Sequence, residues 1–152
     1  MRVGVRTRRP GRIEFPSITD NEFFDLVDQI KNACADGRWK LVFELLELLC
    51  ARRCNEEAME MKAQVQLQLG ENFEAVKNCE RAIKINPLWW EGHRTHGRCL
   101  LAFGEIELAV KAFERAIRIN PADESLREEF RIALEDPREN NETIRTGKPF
   151  WS

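Results

Sequence analysis

Three side chains able to hold a transition metal, His93, His96 and Cys99, follow one another at three-residue steps. Neutral imidazoles and a thiolate bind zinc when a fourth donor closes a tetrahedron, and three-residue steps keep such groups on one side of a helix. No fourth donor is spaced to join them, and an imidazole can instead pack while bonding a main-chain carbonyl. No metal or other cofactor is expected. Cys50 and Cys54 lie one turn apart without a second pair, the pattern of packing residues. No serine–histidine pair, paired carboxylates or glycine-rich phosphate loop stands out, so an enzyme is not expected. Arg94 and Arg98 stand four apart, where like charges repel by roughly a few tenths of a kcal/mol unless an acid offsets them. An acidic partner segment could supply that charge, or Glu60 or Glu91 of the chain itself.

At 152 residues, 43% hydrophobic and 33% charged, the chain has the composition of one helical globular domain. No apolar run reaches the roughly 18 residues of a membrane span, so no membrane partner is expected. Leu41–Cys50 is apolar but carries two glutamates, as a packed helix does. Five cysteines in no framework-like spacing predict reduced thiols and a nuclear or cytoplasmic location, where Asn141-Glu142-Thr143 is a glycosylation signal in name alone. The net charge of −2 hides an asymmetry: Arg2, Arg6, Arg8, Arg9 and Arg12 lie in residues 1–13 without one acid, ahead of an acidic body. Such an arm can touch RNA or an acidic protein, act as a nuclear import signal, or stay solvated. Gly4, Pro10 and Gly11 spoil the amphipathic helix of a mitochondrial presequence.

These residues must be positioned by something, and the clearest signal is a repetition. ERAIKINP ends at Pro87 and returns as ERAIRINP ending at Pro121, 34 residues later. Aligning Glu56–Trp89 over Trp90–Asp123 gives 14 identities, among them Gly70 with Gly104, Ala75 with Ala109 and Ala82 with Ala116. A 34-residue period with small residues at fixed offsets belongs to stacked helix-turn-helix units, each leaning on the next to bury its apolar face. Glycine caps the first helix of each unit, alanine admits a close neighbour and proline stops the second helix. Counting back 34 from Glu56 reaches Glu22, preceded by the capping box Thr19-Asp20-Asn21-Glu22. That count predicts a degenerate unit over 22–55, with Trp39 at the place of Phe73 and Leu41, Leu45 and Leu48 at those of Ala75, Cys79 and Ala82. After Pro121 a helix from Asp123, with Leu126, Phe130 and Ala133 on one stripe and Arg127, Glu128, Glu129 and Arg131 off it, would cap the stack; Asp136-Pro137 would end it. The expected organisation is an arm over 1–17, repeats over 18–136 (units 22–55, 56–89 and 90–123, capping helix 123–135) and a tail over 137–152.

Gly97, Ala109, Phe113, Ala116 and Pro121, with Ala63, Ala75, Ala82 and Pro87 one unit earlier, resemble the tetratricopeptide repeat family over residues 56–121. His93, His96 and Leu100 depart from the family's aromatic and aliphatic choices in the last unit. The resemblance implies an all-α, right-handed α-solenoid of three helix-turn-helix repeats plus a C-terminal capping helix. It also implies a concave groove, lined by the first helix of each unit, that binds an extended or helical peptide. Carried over by position, Phe23, Leu26, Val27 and Ile30 would line the groove in the first unit. Glu57, Glu60, Met61, Gln64, Leu67 and Gln68 would follow in the second, and Glu91, Arg94, Thr95, Arg98 and Leu101 in the third. The family subclass that grips heat-shock chaperone C-terminal tails uses a two-carboxylate clamp. Its cations and amides would have to stand at Leu26, Ile30, Met61, Glu91 and Thr95, so a chaperone tail is not the expected partner. Trp89-Trp90 should bridge two units, one indole in the joint and one near the surface, and Phe150 and Trp151 should anchor the polar tail to a surface. The resulting expectation is a non-enzymatic adaptor holding a peptide or helix of a larger complex. The alternative is a ribonucleoprotein component whose arginine arm contacts nucleic acid.

Overall fold

The computed structural model describes residues 16–135 and 149–151; the arginine arm up to residue 15, the glycosylation-type tripeptide and Asp136-Pro137 lie outside the described residues. Seven helices follow one another without a strand among the described residues: α1 (Asp20–Ala35), α2 (Trp39–Arg52), α3 (Glu56–Gln68), α4 (Asn72–Ile85), α5 (Trp90–Phe103), α6 (Ile106–Ile119) and α7 (Glu124–Glu135). Each packs on its neighbours in sequence, and α3 also packs on α5, so the chain forms an all-α solenoid of stacked hairpins. No helix among the described residues is long and apolar enough to cross a membrane.

Local chemistry sets the helix ends. Thr19 opens α1 by the expected capping box: its Oγ1 accepts from the Glu22 N–H at 3.3 Å, and Glu22 Oε2 accepts from the Thr19 N–H at 2.8 Å. Asn55 Oδ1 accepts from the Ala58 N–H at the start of α3, and Asp123 Oδ1 from the Leu126 N–H at the start of α7. At the far end of α3 and of α5, Gly70 (φ 80°) and Gly104 (φ 94°) take the left-handed conformation that closes the helix without a Cβ penalty. Ala75, Ala82, Ala109 and Ala116 are fully buried, as close helix contacts require. Gly97 lies against the Phe113 ring, which a Cβ at that position would meet at 2.9 Å.

The first hairpin is a repeat unit shifted by one residue from the 34-residue count. Three turns close identically: Gly37 N–H donates to Cys34 O, Gly70 to Leu67 O and Gly104 to Leu101 O, with Arg38, Glu71 and Glu105 donating to Ala33, Gln66 and Leu100. Gly37 and Gly70 are therefore 33 residues apart, while Gly70 and Gly104 are 34 apart. The lost residue is in the loop between units, since Arg53–Asn55 joins α2 to α3 where Asn86–Trp89 joins α4 to α5. Accordingly Val42, Leu46 and Leu49 are fully buried at the places of Ala75, Cys79 and Ala82, whereas Leu41, Leu45 and Leu48 are half-buried. Trp39 stands at the place of Asn72 rather than Phe73. Three apolar clusters run along the stack, the first holding α1, α2 and part of α3, and the last holding α5, α6 and α7.

Candidate functional site: the face of α1, α3 and α5

The shifted register moves two groove positions. Ile30 corresponds to Ala63 and Gly97, core positions of their helices, and is fully buried; Leu26 likewise belongs to the core. The groove positions of the first unit fall instead on Val27, buried at the joint with α3, and on Lys31, which is half-open and pairs with Asp28 at 3.8 Å. The sequence signal for this was present in the Gly37 to Gly70 spacing. Of the other predicted groove residues, Glu60, Met61, Leu67, Thr95, Arg98 and Leu101 are buried; Glu57, Gln64, Glu91 and Arg94 are half-buried; Gln68 is exposed.

One arrangement recurs, with different chemistry, at the middle and carboxyl joints of the stack. Two side chains one turn apart on a first helix meet one side chain from the next first helix. By register the corresponding positions at the amino end are Val27, Lys31 and Met61, of which Val27 and Met61 share the first apolar cluster. In the middle they are Glu60 and Gln64 with Thr95: the Thr95 hydroxyl donates to Glu60 Oε1 at 2.5 Å, and the Gln64 amide donates to the same oxygen. Burial raises the Glu60 pKa, and these two donors and the Arg98 charge oppose the rise without reversing it.

At the carboxyl end they are Arg94 and Arg98 with Glu129 of α7. Arg98 Nε donates to Glu129 Oε2 at 2.9 Å and its Nη2 to Oε1 at 2.5 Å; Arg94 Nε reaches Oε1 at 3.1 Å and its Nη2 the Ser125 hydroxyl at 2.7 Å. Burial alone would raise the Glu129 pKa, but the two guanidinium donors outweigh it and hold the carboxyl below its ordinary value. The acid in ion-pair contact with both arginines is thus Glu129, with Glu60 adding only a weaker, longer-range charge, and Glu129 faces inward instead of lying on a solvated face of the cap.

The metal-type residues do not converge. His93 Nε2–H donates to Pro87 O at 2.8 Å, His96 has its pKa lowered to about 4, mainly by burial, and Cys99 Sγ lies 3.8 Å from Cys79 Sγ. Among the described residues no three histidine, cysteine or acidic side chains stand together as a metal site. Both Trp89 and Trp90 are half-buried. The Trp89 ring occupies the space that a Cβ on Gly92 would need, at 2.9 Å, and Trp90 packs on the last cluster beneath Arg94.

Phe150 and Trp151 pack against the first apolar cluster. The Phe150 N–H donates to Gln64 Oε1 at 2.9 Å, and the Trp151 ring meets the Trp39 ring edge-on, centroids 6.3 Å apart. At the position equivalent to Trp39 in the next unit, Asn72 Nδ2 reaches across its own joint to Ala102 O of α5 at 3.0 Å.

An open helical solenoid with a side-chain-lined face along its first helices defines the class, a repeat protein. Residues 56–87 and 95–123 match the tetratricopeptide repeat family model, so these two segments are tetratricopeptide repeats. The chain is similar to tetratricopeptide repeat protein 33, at 53% identity over 47 residues of the Mus musculus protein (31% of this chain, 18% of that one) and 51% over 39 residues of the Danio rerio protein (26% and 15%). The matched segment thus spans less than a fifth of these relatives' length. Among solved structures, the first tetratricopeptide domain of Spaghetti (RPAP3) bound to HSP90 peptide SRMEEVD superposes with a TM-score of 0.70 at 16% identity, covering 82% of this chain and 97% of that one. The second such domain of human RPAP3, in complex with HSP70 peptide SGPTIEEVD, gives 0.68 at 17% identity, covering 76% and 98%. These likenesses establish the fold.

Proposed function

We propose that the chain is a non-enzymatic adaptor that holds a segment of a partner protein along the face of α1, α3 and α5. The observation that carries this reading is that Gln64 Oε1, on that face, already accepts a main-chain N–H from a non-helical segment, the turn at Phe150 and Trp151. The two RPAP3 domains hold peptides, which supports a peptide as the ligand class. Their chaperone tails are not the ligand proposed here. With the register shifted, the clamp positions fall on Val27, Lys31, Met61, Glu91 and Thr95, where Lys31 is the one cation and the Thr95 hydroxyl is already spent on Glu60. Two carboxylates desolvated there would lack the donors that offset the cost.

The test is affinity purification with mass spectrometry on wild type, Gln64→Arg on the groove and Phe73→Ala on an exposed edge, the chains first checked for helicity. Partners lost with Gln64→Arg and kept with Phe73→Ala are expected. Equal capture by all three chains refutes the groove. Partners that vanish on nuclease treatment or on removal of residues 1–16 point instead to the arm and nucleic acid.

A further inference from the structure

Gln64 is built to accept. Its amide nitrogen is engaged by Glu60 Oε1, and Glu60 is fixed in turn by the Thr95 hydroxyl. That leaves Oε1 as an acceptor, and the donor it takes here is a main-chain N–H. Phe150 offers one; Pro149 before it has none to offer. Beside this acceptor, Trp39 presents an aromatic edge to Trp151, and the Phe150 and Trp151 rings pack on one another as a T-shaped pair with centroids 4.9 Å apart.

We infer that this end of the groove is a reading site for a segment that turns through two adjacent aromatic residues, one of which supplies its main-chain N–H to Gln64. The chain's own Pro149-Phe150-Trp151 occupies the site in cis, so a partner segment of the same chemistry must displace it. The inference rests on the adaptor reading and names both the ligand class and its internal competitor. Charge plays little part in it, since the contacts are one neutral hydrogen bond and three aromatic rings. A competitor on the same chain lowers apparent affinity by the fraction of molecules whose site is open.

The experiment measures fluorescence anisotropy of a labelled peptide of residues 146–152 added to the full chain, wild type and Phe150→Ala/Trp151→Ala. Binding at least about tenfold tighter to the double variant is expected, since removal of the competitor raises the open fraction toward one. The same peptide N-methylated at the Phe150 amide should lose binding to the variant about tenfold, as should the parent peptide on a chain also carrying Gln64→Leu. Equal affinity for wild type and variant, no binding to either, or undiminished binding of the N-methylated peptide overturns the inference. Because residues 150 and 151 lie in no helix, circular dichroism of the variant should match wild type, which keeps a negative result interpretable. Partner capture that depends on Gln64 but not on Phe150 and Trp151 sinks this inference while leaving the adaptor reading intact. Capture that depends on neither sinks the adaptor reading.

Discussion

The two ends of the stack share a backbone geometry and are closed in opposite ways. At the carboxyl end Glu129, on a helix anchored by the buried Leu126 and Ala133, pairs with both Arg94 and Arg98 from within the fold. At the amino end the covering residues are Phe150 and Trp151, which touch the stack through ring contacts and one main-chain hydrogen bond and belong to no helix. The first closure is part of the core. The second is separable from it. A charged joint in a repeat protein is therefore no sign of a ligand until the next helix has been searched for its counter-ion.

Breaking the carboxyl joint should cost most. Glu129→Ala leaves two guanidinium groups without their acid, and denaturant unfolding should register a loss of about 3–5 kcal/mol. A chain with Arg94→Met, Arg98→Met and Glu129→Leu together should recover most of it, because apolar packing commonly replaces a buried ion cluster without loss. At the amino end the shifted register is tested by a neighbouring pair: Ile30→Ala should cost about 3 kcal/mol, and Lys31→Ala less than about 0.5 kcal/mol. The reverse order would restore the 34-residue count.

Acid should act on the carboxyl half in two stages. His96 has its folded pKa lowered from 6.5 to about 4, so the unfolded chain binds the extra proton between those values. Stability should fall as pH drops from 6.5 to 4, by roughly 3 kcal/mol at most, and His96→Gln should flatten that slope in a thermal-melt series. Glu129, held below its ordinary 4.5, contributes stability that is present above that value and is lost as pH falls through its lower folded pKa. Glu60 runs the other way, since its raised pKa favours the protonated group in the fold. Gly97→Ala should have a modest effect: the new Cβ meets the buried Phe113 ring at 2.9 Å, at a cost of about 1–2 kcal/mol after the gain in helix propensity, read by denaturant unfolding.

The stack itself was legible because Gly70, Ala75, Ala82 and Pro87 recur by identity at 34 residues, each answering a backbone need that leaves few alternatives. The first unit was legible in kind but not in register. Its landmarks are apolar and interchangeable, so the missing loop residue between Arg53 and Asn55 passed unseen, and Leu26 and Ile30 were assigned to the groove in place of Val27 and Lys31. The capping helix was read from its stripe, which identified Leu126 and Ala133 as core and took Glu129 for a surface residue. Periodicity reports which face is apolar; it does not report that an acid beside that face lies within reach of two arginines from the previous unit. The cover at the amino end follows the same rule. Phe150 and Trp151 were recognisable as anchors, but Gln64 and Trp39 lie 86 and 112 residues before them, and no local pattern links such distances.

Hydrogen exchange read by mass spectrometry, comparing wild type with Phe150→Ala/Trp151→Ala, addresses the separable closure most directly. Faster exchange confined to α1, α2 and α3, with α5, α6 and α7 unchanged, is the expected result. Identical exchange in the two chains, or deprotection that reaches α5–α7, would contradict it.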